Sequence, residues 1–141
     1  SRVLITDLDH HRCAKVSAEI ASLKLATGVE AVPANPEAWK TACREADLVV
    51  QATPVGMKKE DRSLLPVEAF RKGQAVFDLV YMYPETDFMK GARAGGARTA
   101  NGLGMLLHQG AWAFTIWTGM TAAASVMRRT LEKSVYERST S

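Results

Sequence analysis

Five short apolar runs, separated by segments of helical character, constrain this chain more than any other feature. They occupy residues 3–6, 29–32, 47–52, 74–81 and 97–100. Runs of this length, apolar on both faces and bounded by turn residues, read as strands buried in a parallel sheet. Between them, helices are expected over 11–25, 36–46 and 66–72, and from Thr86 to the Gly95-Gly96 pair. Asn35-Pro36-Glu37 is a strong helix start: Asn caps, Pro fits the first turn and Glu favours the positive end. Two further helices, 102–117 and 120–138, close the chain. Strand and helix in alternation specify an α/β fold, a doubly wound parallel sheet with helices on both faces and a helical tail. Ligands of such sheets sit at the carboxyl ends of the strands. The stretches Asp7 to Asp9, Thr53 to Met57, Leu79 to Tyr83 and Asn101 to Met105 should therefore form one rim.

Composition narrows the class. The chain has 141 residues, 47% hydrophobic and 23% charged, which suits one soluble domain over residues 1–141. A net charge of +3 comes with no basic block beyond the pairs Lys58-Lys59, Arg71-Lys72 and Arg128-Arg129, so no nucleic-acid partner is expected. Cys13 and Cys43 form no CxxC and read as reduced, buried thiols of a cytoplasmic protein; no secretory signal opens the chain. Residues 104–127 carry no charge and are long enough to cross a bilayer. His108, Gln109, three threonines and a break near Gly119 favour two shorter helices and no membrane span.

Asp7 ends the first strand run. An acid there can accept both hydroxyls of an adenosine ribose, or it can cap the next helix, as can Asp9. The Gly-rich turn that goes with such an acid belongs about 20 residues earlier, and only six residues precede Asp7. The chain is therefore expected to start at the second strand of a Rossmann-like unit, with the first strand–helix unit missing. Gly102-Leu103-Gly104 is no substitute, since it lies elsewhere and lacks the third glycine. Thr53-Pro54-Val55-Gly56-Met57 is a tight loop where a glycine allows close approach of a ligand, or a plain turn. Gln109 follows Met105 by one helical turn and is expected as a buried amide satisfied by a ligand or by backbone. Trp112, Phe114 and Trp117 read as core of a buried helix. His10 and His11 read as exposed, and no metal site or Ser/Cys nucleophile is expected.

Taken together these stretches resemble the shikimate dehydrogenase family. Ala52-Thr53-Pro54-Val55-Gly56-Met57 is similar to its Asn-Ala-Thr-Pro-x-Gly-Met loop, and Asp78-Leu79-Val80-Tyr81 to its Asp-x-x-Tyr strand end. Thr86, Asn101-Gly102-Leu103-Gly104-Met105-Leu106, Gln109-Gly110-Ala111 and Phe114 to Gly119 follow in order. The resemblance implies reversible oxidation of shikimate, or of the related quinate, by a nicotinamide cofactor, a step of aromatic amino-acid biosynthesis. It further implies that Thr53, Leu79, Gly102 and Met105 line the cofactor and that Tyr81 and Gln109 reach the substrate. The catalytic Lys and Asp belong to an N-terminal substrate domain absent from this chain, so the fragment alone is expected to be inactive.

Two departures carry meaning. Gln51 replaces the family's Asn, keeping the amide on a longer arm, so that a loop-bracing contact is expected to shift. Where NADP-dependent relatives carry Asn-Arg-Thr, this chain reads Asp7-Leu8-Asp9. A carboxylate about 4 Å from a 2′-phosphate costs about 4 kcal/mol at a surface-like dielectric. NAD is therefore expected ahead of NADP, with Arg12 the residue that could swing to a phosphate or stack on adenine. The competing reading is a non-catalytic module of a regulator with a shikimate-dehydrogenase-like region.

Overall fold

A computed structural model describes residues 1–24 and 26–137. Leu25 and Arg138, expected ends of two helices, lie outside the described residues. The order is β1 (Arg2–Ile5), α1 (His10–Ser22), β2 (Gly28–Ala31), α2 (Pro36–Glu45) and β3 (Leu48–Gln51). A 3-10 turn (Val67–Ala69) leads to β4 (Ala75–Asp78), α3 (Asp87–Ala94), β5 (Arg98–Asn101), α4 (Leu103–Thr118) and α5 (Ala124–Tyr136). All five strands are where the apolar runs placed them.

The helix starts follow from their caps. Asn35 Oδ1 accepts the Ala38 N–H at 2.9 Å, Thr86 Oγ1 the Met89 N–H at 3.2 Å, and Asp9 Oδ1 the Arg12 N–H at 3.0 Å. Each cap stabilises its helix by about 1 kcal/mol. Gly119, at φ +70°, ends α4 in the left-handed conformation that glycine adopts freely. The uncharged stretch is thus split as expected, although α5 begins at Ala124, later than residue 120. No helix among the described residues is long and apolar enough to cross a membrane.

All pairing is parallel, but the strands form two sheets, ordered β2–β1 and β3–β4–β5. These are the two wings of the doubly wound order 3-2-1-4-5-6, with no strand joining β1 to β3 among the described residues. The wings are tied through α2. The Trp39 indole N–H donates to Thr6 Oγ1 at 2.8 Å, and Arg2 pairs with Glu45 at 3.3 Å.

The core lies on one face of the three-stranded sheet. Cys43 of α2, Leu65, Ala69, Phe70, Val76 of β4, Phe88 and Ala92 of α3, and Ala97 pack together, with Trp39 and Val49 against them. Phe70 meets Phe88 edge-to-face at 5.4 Å between centroids, worth about 1 kcal/mol beyond burial. The opposite face is open: Leu48 and Val50 are 58% and 51% exposed. With Ala75, Phe77, Arg98 and Ala100 they line a depression of ≈ 440 Å³. Helices on both faces were expected of this sheet; among the described residues, helices pack on one face of its three-stranded wing.

A second correction concerns α4. Its buried residues are Leu103, Leu107 and Ala111, a single stripe four residues apart. Trp112, Ile116 and Trp117 are 73%, 75% and 82% exposed, and Phe114 is exposed as well. A helix apolar all round is buried only where partners surround it. Here the elements around it cover one stripe. Cys13 and Cys43 are free and buried, as expected.

Candidate functional site

The last residues of β3, β4 and β5 are Gln51, Asp78 and Asn101, paired side by side in register. A row of three polar residues closes the sheet at its carboxyl end. Each side chain turns to the loop above it. Gln51 accepts the Thr53 N–H and donates to the Val55 carbonyl at 2.7 Å. Asn101 donates to the carbonyls of Tyr83 and Pro84, both at 3.2 Å, and to the Tyr136 hydroxyl at 3.0 Å. It also accepts the Leu103 N–H at the start of α4. Gln51 thus braces the loop after β3 through its longer arm.

Above this row lies a pocket of ≈ 320 Å³ lined by Ala52, Thr53, Pro54, Met57, Leu79, Val80, Tyr81 and Met82. Its walls are the loop after β3 and the chain after β4. The loop is shaped by Gly56 at φ +101° and by Asp61, whose carboxylate accepts the Gly56 and Lys58 N–H groups at 2.8 and 3.1 Å. Those backbone donors hold the Asp61 carboxyl below the ordinary carboxylate range. Sequence reasoning missed Asp61; its signal was an acid five residues after the loop glycine.

Gly102 explains how α4 joins the site. A Cβ there would stand 2.1 Å from the Leu79 carbonyl oxygen. Only glycine lets the start of α4 lie against the chain after β4.

The expected site residues divide into three groups. Thr53, Leu79 and Tyr81 line the pocket, and Gly102 packs on Leu79. Met105 is 40% exposed and Gln109 is exposed on α4; neither is among the lining residues. Gln109 was expected as a buried amide. It is not buried, because the stripe that α4 buries runs through Leu103, Leu107 and Ala111.

Asp7 and Arg12 belong to the other wing, at the carboxyl end of β1. Asp9 is the cap of α1, and Asp7 Oδ1 accepts the Asp9 N–H at 2.8 Å. The Arg12 guanidinium lies 3.6 Å from Asp7 and 3.7 Å from Asp9. The arginine is drawn back between two carboxylates. These pairs are exposed and contribute at most about 1 kcal/mol. No cluster of His, Cys, Asp and Glu able to hold a metal occurs among the described residues.

Known proteins resemble this chain in sequence and fold. A model of the Shikimate 5′-dehydrogenase C-terminal domain matches residues 102–132, which span Gly102 and the α4–α5 pair. The NADP(+) shikimate dehydrogenase of Moorella thermoacetica is 50% identical over 91 residues, 64% of this chain and 31% of that protein. The quinate dehydrogenase of Corynebacterium glutamicum in complex with NAD superposes with a TM-score of 0.77 at 32% identity, covering 92% of this chain and 45% of its own. Shikimate 5-dehydrogenase of Listeria monocytogenes in complex with shikimate and NAD gives 0.80 at 31%, covering 93% and 47%. The chain thus spans less than half the length of each of these relatives. Sequence, family model and fold agree in making this chain similar to the C-terminal part of shikimate dehydrogenases.

Proposed function

We propose that this chain is the nucleotide-binding part of an NAD(P)-dependent oxidoreductase that passes hydride between shikimate, or quinate, and a nicotinamide cofactor. The observation that carries the reading is the pocket of Thr53, Leu79 and Tyr81, with Gly102 packed on Leu79, at the carboxyl end of a parallel sheet. Its donor set fits the cofactor. Ala52, Pro54, Met57, Leu79, Val80 and Met82 offer an apolar wall for a flat ring, while the Thr53 and Tyr81 hydroxyls offer hydrogen bonds to polar substituents. Bound there, a nicotinamide supplies the hydride acceptor or donor. The chain's own task is to orient the ring, exclude water from one side and bring Tyr81 to the substrate. Met105 and Gln109 extend the same rim along α4, towards cofactor and substrate respectively. No catalytic acid or base is assigned within this chain. A Lys and an Asp on an N-terminal substrate domain supply that chemistry. The reading places the protein in the cytoplasm, with no nucleic-acid or membrane partner.

Asp7 and Asp9 favour NAD over NADP. Together with Arg12 they leave a net negative corner at the end of β1, where a ribose diol can donate and a 2′-phosphate is repelled. The test is steady-state oxidation of shikimate and of quinate, with NAD and with NADP, by the full-length polypeptide and its Asp7→Asn variant. Wild type should prefer NAD. Asp7→Asn should move the NADP-to-NAD ratio of kcat/KM upward about tenfold, the part of a 4 Å charge interaction that survives solvent screening. A wild-type preference for NADP would overturn the role of Asp7. Absence of turnover with either substrate and either cofactor would overturn the oxidoreductase reading.

A further inference from the structure

Asp78 is fully buried, at 0% exposure, and no cation lies among its hydrogen-bond partners. Every one of those partners donates to it. Oδ1 accepts the Val80 N–H at 3.0 Å and the Gln51 amide at 3.4 Å; Oδ2 accepts the Thr86 hydroxyl at 2.6 Å. Thr86, itself 4% exposed, then accepts the Met89 N–H and so caps α3. Gln51, 4% exposed, carries the chain of contacts to Thr53 and Val55. One carboxyl group thereby fixes both walls of the pocket: the loop after β3 through Gln51, and the chain after β4 through Val80. It anchors both to the N-terminus of α3. None of Gln51, Asp78 and Thr86 lines the pocket.

We propose that Gln51, Asp78 and Thr86 form a positioning network that sets the width of the pocket and thereby the seating of the nicotinamide ring, without touching the cofactor. The inference rests on the nucleotide-binding reading above. Physically, buried donors and acceptors are costly to leave unpaired, so a fully paired set admits one arrangement of the loops it joins. An apolar pocket alone would tolerate several. The adenosine end of the ligand, near Asp7 on the other wing, lies outside the network's reach.

That separation supplies the test. NAD and ADP-ribose share the adenosine and pyrophosphate, and only NAD carries the ring. Their dissociation constants are measured calorimetrically on the full chain as wild type, Thr86→Val, Thr86→Ser and Asp78→Asn, with circular dichroism to confirm folding. Thr86→Val removes the hydroxyl that joins α3 to Asp78. Asp78→Asn is a second route should Thr86→Val fail to fold, because a rotated Thr86 hydroxyl can accept from the new amide and keep the fold intact. Wild type should bind NAD several-fold more tightly than ADP-ribose. Thr86→Val should lose about fivefold to tenfold in NAD affinity with ADP-ribose unchanged. Asp78→Asn should lose less in the same pattern, and Thr86→Ser should restore wild-type values. Equal losses for both ligands, or no loss for either in folded variants, would overturn the network's role. Wild type binding neither ligand, or both equally, would instead overturn the reading beneath it.

Discussion

Replacing Gly102 by alanine adds one methyl group where the chain after β4 meets the start of α4. The backbone at 102 is ordinary right-handed helix, φ −69° and ψ −7°, so an L side chain meets no conformational strain there. Space is the whole cost. The new Cβ would lie 2.1 Å from the Leu79 oxygen and 2.8 Å from its carbonyl carbon. Both neighbours are backbone, so the helix start must retreat by about 1 Å to restore van der Waals contact. Overpacking of this kind costs about 1–3 kcal/mol. In a domain of this size that lowers Tm by roughly 4–12 °C. Gly104, one residue after Leu103, is the control: a Cβ there meets nothing within 4 Å. Gly104→Ala should raise Tm slightly, since alanine is favoured over glycine in a helix by up to about 1 kcal/mol. Thermal unfolding followed at 222 nm reads both, and NAD titration reads the shift of Leu79 in the pocket. Opposite signs for the two glycines are expected, with weakened NAD binding for Gly102→Ala alone. A Gly102→Ala variant that melts within a degree of wild type and binds NAD unchanged would refute the close approach on which the site is built.

Two pH dependences follow from the titratable groups. Asp61 is held below the ordinary carboxylate pKa by the Lys58 and Gly56 N–H groups, so its hold on the loop is complete above about 4 and is lost as pH falls through its lowered value. The protection factor of the Gly56 amide should fall in that acid range, and Asp61→Ala should show the low protection already at neutral pH; a pH-independent protection factor would count against it. Burial pushes the Cys43 thiol from 9.0 up to about 11, so the folded protein keeps a proton that the unfolded chain gives up. The stability this contributes is whole below pH 9 and is lost as pH rises through about 11, and Cys43→Ala should flatten that part of the urea-unfolding profile. Identical alkaline slopes for both proteins would refute the assignment.

What could be read from the residues was what local chemistry determines. The strands were legible because short apolar runs between turn signals have few other uses, and the starts of α2 and α3 because Asn35 and Thr86 are caps in their own right. The rim followed from topology: once strands and helices alternate, the stretches after Thr53 and Leu79 must emerge together. Burial was less legible, because it depends on partners distant in sequence. Trp112 and Trp117 have the composition of core, yet no element among the described residues is packed over them, and Gln109 is exposed for the same reason. The division into two sheets is likewise a matter of long-range pairing that no single run encodes. The Asp78 network lay between these cases. Gln51 and Asp78 each stand out as a polar residue ending an apolar strand. Only the register that sets Gln51 beside Asp78 shows that they share a hydrogen bond.

The two wings bear on how such a site can vary. Asp7, Asp9 and Arg12 stand at the end of β1, while Thr53, Leu79, Tyr81 and Gly102 stand at the ends of β3, β4 and β5. The residues proposed to choose between NAD and NADP are exposed and paired only weakly with one another, at 3.6 and 3.7 Å. Those proposed to seat the ring are braced by the buried Gln51 amide, the half-buried Asn101 amide and one buried carboxyl group. A charge change at Asp7 therefore perturbs no buried contact and costs little stability, whereas truncating Asp78 to alanine leaves buried donors without acceptors, at about 1–3 kcal/mol each. On the proposed reading, cofactor choice can consequently shift by single surface substitutions. The seating of the ring is held by contacts that must change together or not at all.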